Sequence, residues 1–207
     1  MITLVTGGAR SGKSSFAEKI VRKKGGNQVY YLATAEIRDE EMRNRVEKHR
    51  QQRPDEWETI EAPYEMAAAI SRIPAGAVLL IDCMTVYISN LLLSNKCNSS
   101  DSESKELENS EKEDIESINQ SEKEKLIKKR VEAVIEIINK KDIEAVIVAN
   151  EVGQGIVPAY KLGRIYRDIA GRINQYLAEE AGEVFITFAG LPVEIKQLGQ
   201  KNLEEYS

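Results

Sequence analysis

Long apolar runs are missing from this chain. No stretch approaches the roughly 20 residues needed to span a bilayer, so membrane insertion is not expected. A secretory leader is not expected either, because a β-branched apolar run begins at Ile2, and a cytoplasmic protein is the expectation. Cysteine is scarce. Cys83 beside an apolar run and Cys97 in a polar stretch are the only two, which excludes a disulfide framework and fits a reducing compartment. An excess of basic charge is also absent. The net charge is −5, and ten acids against four bases fall within residues 101–125, so the rest of the chain is close to neutral. That balance argues against a nucleic-acid surface and still permits a local anion site. What remains is 207 residues with 42% hydrophobic content, the size of one domain (1–207) able to bury a proper core.

Glycine, by contrast, is concentrated where it matters. Gly7-Gly8-Ala9-Arg10-Ser11-Gly12-Lys13-Ser14 fits the phosphate-loop pattern G-x-x-x-x-G-K-[ST] at every fixed position. Ile2–Thr6 before it reads as a buried strand and residues 14–24 after it as a helix, the context the motif requires. The glycines let backbone N–H groups turn toward phosphate oxygens, and the helix N-terminus and Lys13 add positive charge. Ser14 would place its hydroxyl on Mg²⁺. A nucleotide site follows, and kinase, switch and motor all remain open.

Apolar runs recur with helical stretches between them, as an α/β fold with a parallel sheet requires. Strands are expected at Ile2–Thr6, Gln28–Ala33, Ala77–Asp82, Ala145–Ala149 and Glu183–Phe188, with a shorter one around Trp57–Glu61. Helices are expected near 14–24, 38–51, 64–72, 84–94, 122–140 and 160–181. In the last, Leu162, Ile165, Tyr166, Ile169, Ile173, Tyr176 and Leu177 form one apolar stripe. Residues 95–121, rich in Ser, Glu, Asn and Lys, bury too little to offset ordering entropy and read as a disordered surface insertion, or as a partner-binding segment.

Val78-Leu79-Leu80-Ile81 followed by Asp82 supplies the carboxylate expected at a neighbouring strand end to hold Mg²⁺. Asn139-Lys140-Lys141-Asp142 imitates a guanine-reading N-K-x-D but precedes its strand, whereas ligands of open α/β sheets lie beyond the strands' carboxyl ends. Asp82 also lacks the glycine three residues on that switch GTPases use, so the tetrapeptide reads as a charged helix terminus. Residues 42–54 hold the only histidine. On a helix Arg45, His49 and Arg53 share a face, and Pro54 closes the element. The guanidiniums disfavour a protonated imidazole, as a nucleophile needs, and could neutralise a phosphate. A solvated basic face is the competing reading. Residues 150–158 follow a strand at the functional end of the sheet, where the glycines permit close ligand approach and Glu151 offers a carboxylate; a tight turn is the alternative.

Together these elements resemble the bifunctional adenosylcobinamide kinase/adenosylcobinamide-phosphate guanylyltransferase family of cobalamin biosynthesis. The resemblance rests on G-G-A-R-S-G-K-S at 7–14, Ala33-Thr34-Ala35, and the D-x-E-M-x-x-R-(V/I)-x-x-H-R-x-x-R-P pattern at 39–54. Trp57-Glu58-Thr59 with Glu61, Asp82-Cys83-Met84-Thr85 with Ser89-Asn90-Leu91-Leu92, N-E-V-G-x-G-I-V-P at 150–158 and residues 167–175 extend it. It implies a RecA-like, mainly parallel sheet and a homo-oligomer, a trimer by family analogy. It implies two reactions: a triphosphate phosphorylates adenosylcobinamide, and GTP then gives GMP to adenosylcobinamide phosphate through a covalent GMP on His49. ATP and GTP are the implied nucleotides and Mg²⁺ the implied ion, held by Ser14 and Asp82. Lys13 joins His49 in catalysis. Arg45, Arg50, Arg53, Glu61 and Glu151 join residues 7–14 and Asp82 in nucleotide binding. A phosphate-loop kinase of another small molecule with His49 idle, or a nucleotide-dependent switch, are the alternatives.

Overall fold

The computed structural model describes residues 1–25, 28–36, 40, 50, 54–94 and 120–205. The seven strands among the described residues are β1 (Ile2–Gly7), β2 (Val29–Ala33), β3 (Glu58–Glu61), β4 (Val78–Asp82), β5 (Glu144–Val148), β6 (Glu183–Phe188) and β7 (Leu191–Glu194). They form one sheet in the order β3-β2-β4-β5-β1-β6-β7. All pairings are parallel except the β6–β7 hairpin, giving the RecA-like arrangement. The helices among the described residues are α1 (Lys13–Gly25), α2 (Met66–Ser71), α3 (Met84–Leu93), α4 (Gln120–Lys140), α5 (Lys161–Glu180) and α6 (Lys196–Glu205). None is long and apolar enough to cross a membrane.

The central strands are buried on both faces, which is why they read as unbroken apolar runs. Leu4, Leu32, Leu79, Ile81 and Ile147 face one way, into a core built with α2, α3, α4 and α5. Val5, Tyr31, Leu80, Val146 and Val148 face the other way, against Ala17 and Val21 of α1 and against Trp57. The apolar stripe of α5 is used as its spacing implies. Ile165, Ile169, Ile173 and Leu177 are buried, with Leu162, Tyr166 and Tyr176 packed alongside.

Most expected elements appear within two residues of their expected bounds. The polar insertion gives way to helix at Gln120. Residues 95–119 and most of the helix expected near 38–51 lie outside the described residues, although Glu40 and Arg50 are helical. The end of the chain differs from expectation. β7 and α6 have no sequence forecast because Pro192 interrupts a four-residue strand, which an edge position tolerates. Glu194 then starts α6, its carboxylate accepting from the N–H groups of Lys196 at 2.8 Å and Gln197 at 3.2 Å.

Candidate active site

The loop between β1 and α1 sits at the carboxyl edge of the sheet. Its geometry needs glycine at two points. Gly7 has φ +148°, and a Cβ there would lie 2.5 Å from the Thr187 carbonyl oxygen; Gly12 has φ +95°, with the Gly190 Cα only 3.2 Å from where its Cβ would be. The loop is held from behind by the β6–β7 hairpin. Thr187 Oγ1 is 2.7 Å from Ser11 Oγ and donates to the Thr6 carbonyl at 3.1 Å, while the Gly190 N–H donates to the Ser11 carbonyl at 2.9 Å. Ser14 lies half-buried in the first turn of α1, and Gly8, Ala9 and Arg10 are exposed.

Neighbouring loops are hydrogen-bonded to one another along the same edge. Thr34, just after β2, is fully buried. Its hydroxyl donates to the Cys83 carbonyl at 2.8 Å and accepts from the Cys83 N–H at 2.9 Å. Asn90 of α3 donates through Nδ2 to the carbonyls of Thr34 at 2.8 Å and Pro63 at 3.1 Å, joining the segments after β2, β3 and β4. Beyond β5, the Asn150 N–H donates to Thr85 Oγ1 at 3.1 Å and the Glu151 N–H to the Gly7 carbonyl at 2.9 Å. The loops after five adjacent parallel strands thus share one rim.

Charge gathers at the same place. Lys13 is only 7% exposed and its ammonium donates to the Gly8 carbonyl at 2.6 Å. Burial pushes it below the ordinary lysine value, with Cys83 and Asp82 acting the other way. Asp82 ends β4, level with Ala33 and Val148 in the strands on either side, and accepts from the Tyr31 hydroxyl at 3.0 Å. Asp82 is among the charges that act on Lys13, and it is the kind of carboxylate that metal-dependent phosphate chemistry uses. Burial pushes the Cys83 thiol up, Asp82 adds to the effect, and the thiol stays protonated. Among the described residues no three His, Cys, Asp or Glu side chains cluster as a metal cage.

The chain has clear relatives in sequence. The family model described as cobinamide kinase / cobinamide phosphate guanyltransferase matches residues 3–195. The chain belongs to that family. It is 39% identical over 197 residues to the bifunctional adenosylcobalamin biosynthesis protein CobU of Escherichia coli, covering 95% of this chain and 100% of that one. Identity is 36% to the bifunctional adenosylcobalamin biosynthesis protein CobP of Pseudomonas aeruginosa, over 95% of this chain and 98% of the relative. Among solved structures, the flagellar accessory protein FlaH of Methanocaldococcus jannaschii aligns with a TM-score of 0.39 and 12% identity, over 92% of this chain and 74% of that one.

For a member of the cobinamide kinase / cobinamide phosphate guanyltransferase family, the described edge brings together residues 7–14, Asp82 and the start of the 150–158 segment. Glu151 is half-buried, and its Oε1 accepts from the Gly153 N–H at 2.9 Å, so the carboxylate shapes its own loop. Glu61 lies exposed at the carboxyl end of β3, and Arg50 is exposed. His49, Arg45 and Arg53 lie outside the described residues. Asn139 and Lys140 end α4 at the opposite edge of the sheet, where the Lys141 carbonyl accepts from the Gly76 N–H at 2.9 Å, so the apparent guanine motif is a helix end. Thr187 and Tyr31 went unread in the sequence. Thr187 left one trace, a hydroxyl within the apolar run Val184–Phe188; Tyr31 left none, since tyrosine is ordinary in a strand.

Proposed function

We propose that this protein phosphorylates the aminopropanol hydroxyl of adenosylcobinamide and then transfers GMP from GTP to that phosphate, through a guanylyl group carried on His49. The products of the second reaction are adenosylcobinamide-GDP and pyrophosphate. The observation that carries the reading is the phosphate loop, buttressed by β6, with Asp82 at the end of β4 on the same edge of the sheet, in a chain of this family. The family membership also weighs against a kinase of an unrelated small molecule and against a regulatory switch.

In the first transfer the substrate hydroxyl oxygen bonds to the γ-phosphorus, the bond to the bridging oxygen breaks, and the hydroxyl proton passes to water. The transition state is loose, so loop amides, Lys13 and the helix terminus act by positioning and charge. In the second, a neutral His49 nitrogen attacks the α-phosphorus of GTP, pyrophosphate leaves, and the ring sheds its other proton. A phosphate oxygen of adenosylcobinamide phosphate then takes GMP from the nitrogen, and the ring regains its proton. Arg45, Arg50 and Arg53 contact the phosphates in this scheme, Glu61 contacts the nucleotide, and Glu151 makes a polar contact to nucleotide or corrinoid.

Mg²⁺ suits the donors present: the Ser14 hydroxyl and Asp82 carboxylate are hard oxygens, too few to hold the ion without phosphates and water. Bound there, it would offset the charge of the phosphates. ATP and GTP as substrates and a homotrimer, by family resemblance, and a single domain over 1–207 and a cytoplasmic location, from length and cysteine usage, complete the proposal.

The test is direct. Incubation with GTP labelled at the α-phosphate should leave an acid-labile, base-stable label on the protein, mapped to His49 by mass spectrometry and lost in His49→Ala. A label that persists in that variant removes His49 from the reaction.

A further inference from the structure

We propose that residues 152–160, leading from β5 to α5, are the platform on which the corrinoid acceptor rests, with Ile156, Val157 and Tyr160 against the macrocycle. The proposal builds on the kinase reading above and concerns its second substrate. In a chain with 30% charged residues, these nine (Val-Gly-Gln-Gly-Ile-Val-Pro-Ala-Tyr) carry no formal charge. Ile156 is 95% exposed, Val157 59% and Tyr160 68%. Three large apolar side chains in one short segment, beside a phosphate site, mark a binding surface better than scattered exposure does.

The segment is fastened at both ends. At its start, the Glu151 N–H bonds to the Gly7 carbonyl at 2.9 Å, which ties the segment to the phosphate loop. At its end, Arg164 Nη1 donates to the carbonyls of Pro158 at 3.0 Å and Ala159 at 2.7 Å. Gly163 completes this second fastening. A Cβ at that buried helical position would come within 2.7 Å of the Tyr160 ring and 2.8 Å of Pro158, so the missing side chain seats both. Apolar groups held away from the core by such anchors are preorganised for a ligand rather than left over from folding.

Size and charge together point to the occupant. The phosphates of a nucleotide are met by Lys13 and the loop amides, and its purine is the smaller of the two apolar groups this site must hold. The acceptor that a cobinamide kinase must hold is a broad corrin macrocycle with neutral carboxamide arms. Its faces match the three apolar side chains, and its amides match the Gln154 side chain and the exposed peptide groups around Gly155. The tie at Gly7 starts this segment at the phosphate loop. A second copy of the chain is the competing occupant.

The full-length double variant Ile156→Ser/Val157→Ser tests this, since both positions are exposed and folding should persist. Steady-state KM for adenosylcobinamide and for the nucleotide, corrinoid binding followed by corrin absorbance, and sedimentation velocity are measured alongside wild type. The expected result is a rise of about ten-fold in corrinoid KM and Kd, with nucleotide KM and sedimentation unaltered. Unchanged corrinoid binding, an equal rise in nucleotide KM, or a changed oligomeric state overturns the platform and leaves the kinase reading standing. Wild type that binds the corrinoid without phosphorylating it overturns the kinase reading instead. Wild type that binds no corrinoid overturns both.

Discussion

Replacing Thr187 by valine removes one hydroxyl from behind the phosphate loop and leaves the side chain's shape nearly unchanged. Thr187 is 1% exposed, with Thr6 O at 3.1 Å and Ser11 Oγ at 2.7 Å from its oxygen. A carbonyl can only accept, so the single Thr187 proton goes to Thr6 and Ser11 must donate to Thr187. Ser11 is itself 8% exposed, so valine deletes both bonds and strands a buried donor. Leaving a buried polar group without its partner costs about 1–3 kcal/mol, and the middle of that range is about 2 kcal/mol. For a chain of this size each kcal/mol lowers Tm by about 2–4 °C, so a loss of about 4–8 °C is expected. The Gly190 N–H still holds the Ser11 carbonyl. The loop should therefore loosen without detaching, raising nucleotide KM more than it lowers kcat. Thr187→Ser keeps the hydroxyl and should restore most of the nucleotide KM. Calorimetry and steady-state kinetics on the three proteins decide the matter. A valine variant within about 1 °C of wild type, with unchanged nucleotide KM, refutes the reasoning.

Asn90→Leu should cost about 2 kcal/mol in denaturant unfolding, because the Thr34 and Pro63 carbonyls lose a buried donor shared by three loops; a midpoint equal to wild type would show that the amide is dispensable. Glu144 gives a pH dependence. Its hydrogen bond to Lys24, at 2.8 Å, holds its carboxyl below the ordinary value, although burial opposes this. A depressed folded value means that the stabilisation is complete above the unfolded carboxylate range and is lost as pH falls through the lowered folded value. The pair is partly exposed, so Lys24→Met should cost no more than about 1 kcal/mol at neutral pH, and the difference from wild type should vanish in acid. A difference that persists at low pH would assign the effect to packing of the Lys24 stem.

How much was legible in the sequence follows from which forces are local. The central strands announce themselves because both faces are buried, which leaves no polar alternation to confuse them with surface strands. The phosphate loop is legible because backbone geometry fixes its glycines, and Gly7 and Gly12 do occupy positive-φ positions. β7 is illegible for the converse reason. An edge strand with one partner needs little apolar pattern, and its register comes from the hairpin at Ala189–Gly190 with φ of +50° and +82°. Thr187 and Ser11 lie 176 residues apart, and no local pattern joins them. The same holds for Asn90, whose motif was visible while its partners 56 and 27 residues away were not.

The electrostatics of the described rim bear on where a covalent guanylyl group could sit. A nucleophile for the α-phosphorus must present a lone pair near neutral pH, without first losing a tightly held proton. Burial, with Asp82 adding to it, keeps the Cys83 thiol protonated, and the thiol lies 3.2 Å from Thr85 Oγ1. Tyr166 is pushed up to about 12, chiefly by burial, and its hydroxyl donates to the Thr85 carbonyl at 3.2 Å. Lys13 remains the positive charge the phosphates require, and a lysine that gave up its proton to attack would forfeit that role. Asp82 accepts from Tyr31 and is the carboxylate suited to the ion. In the proposed scheme each of these groups is therefore protonated or engaged with phosphate or metal. An imidazole offers a free lone pair near neutral pH and a phosphoryl bond labile enough to pass GMP onward, which is the chemistry we propose for His49, the only histidine in the sequence.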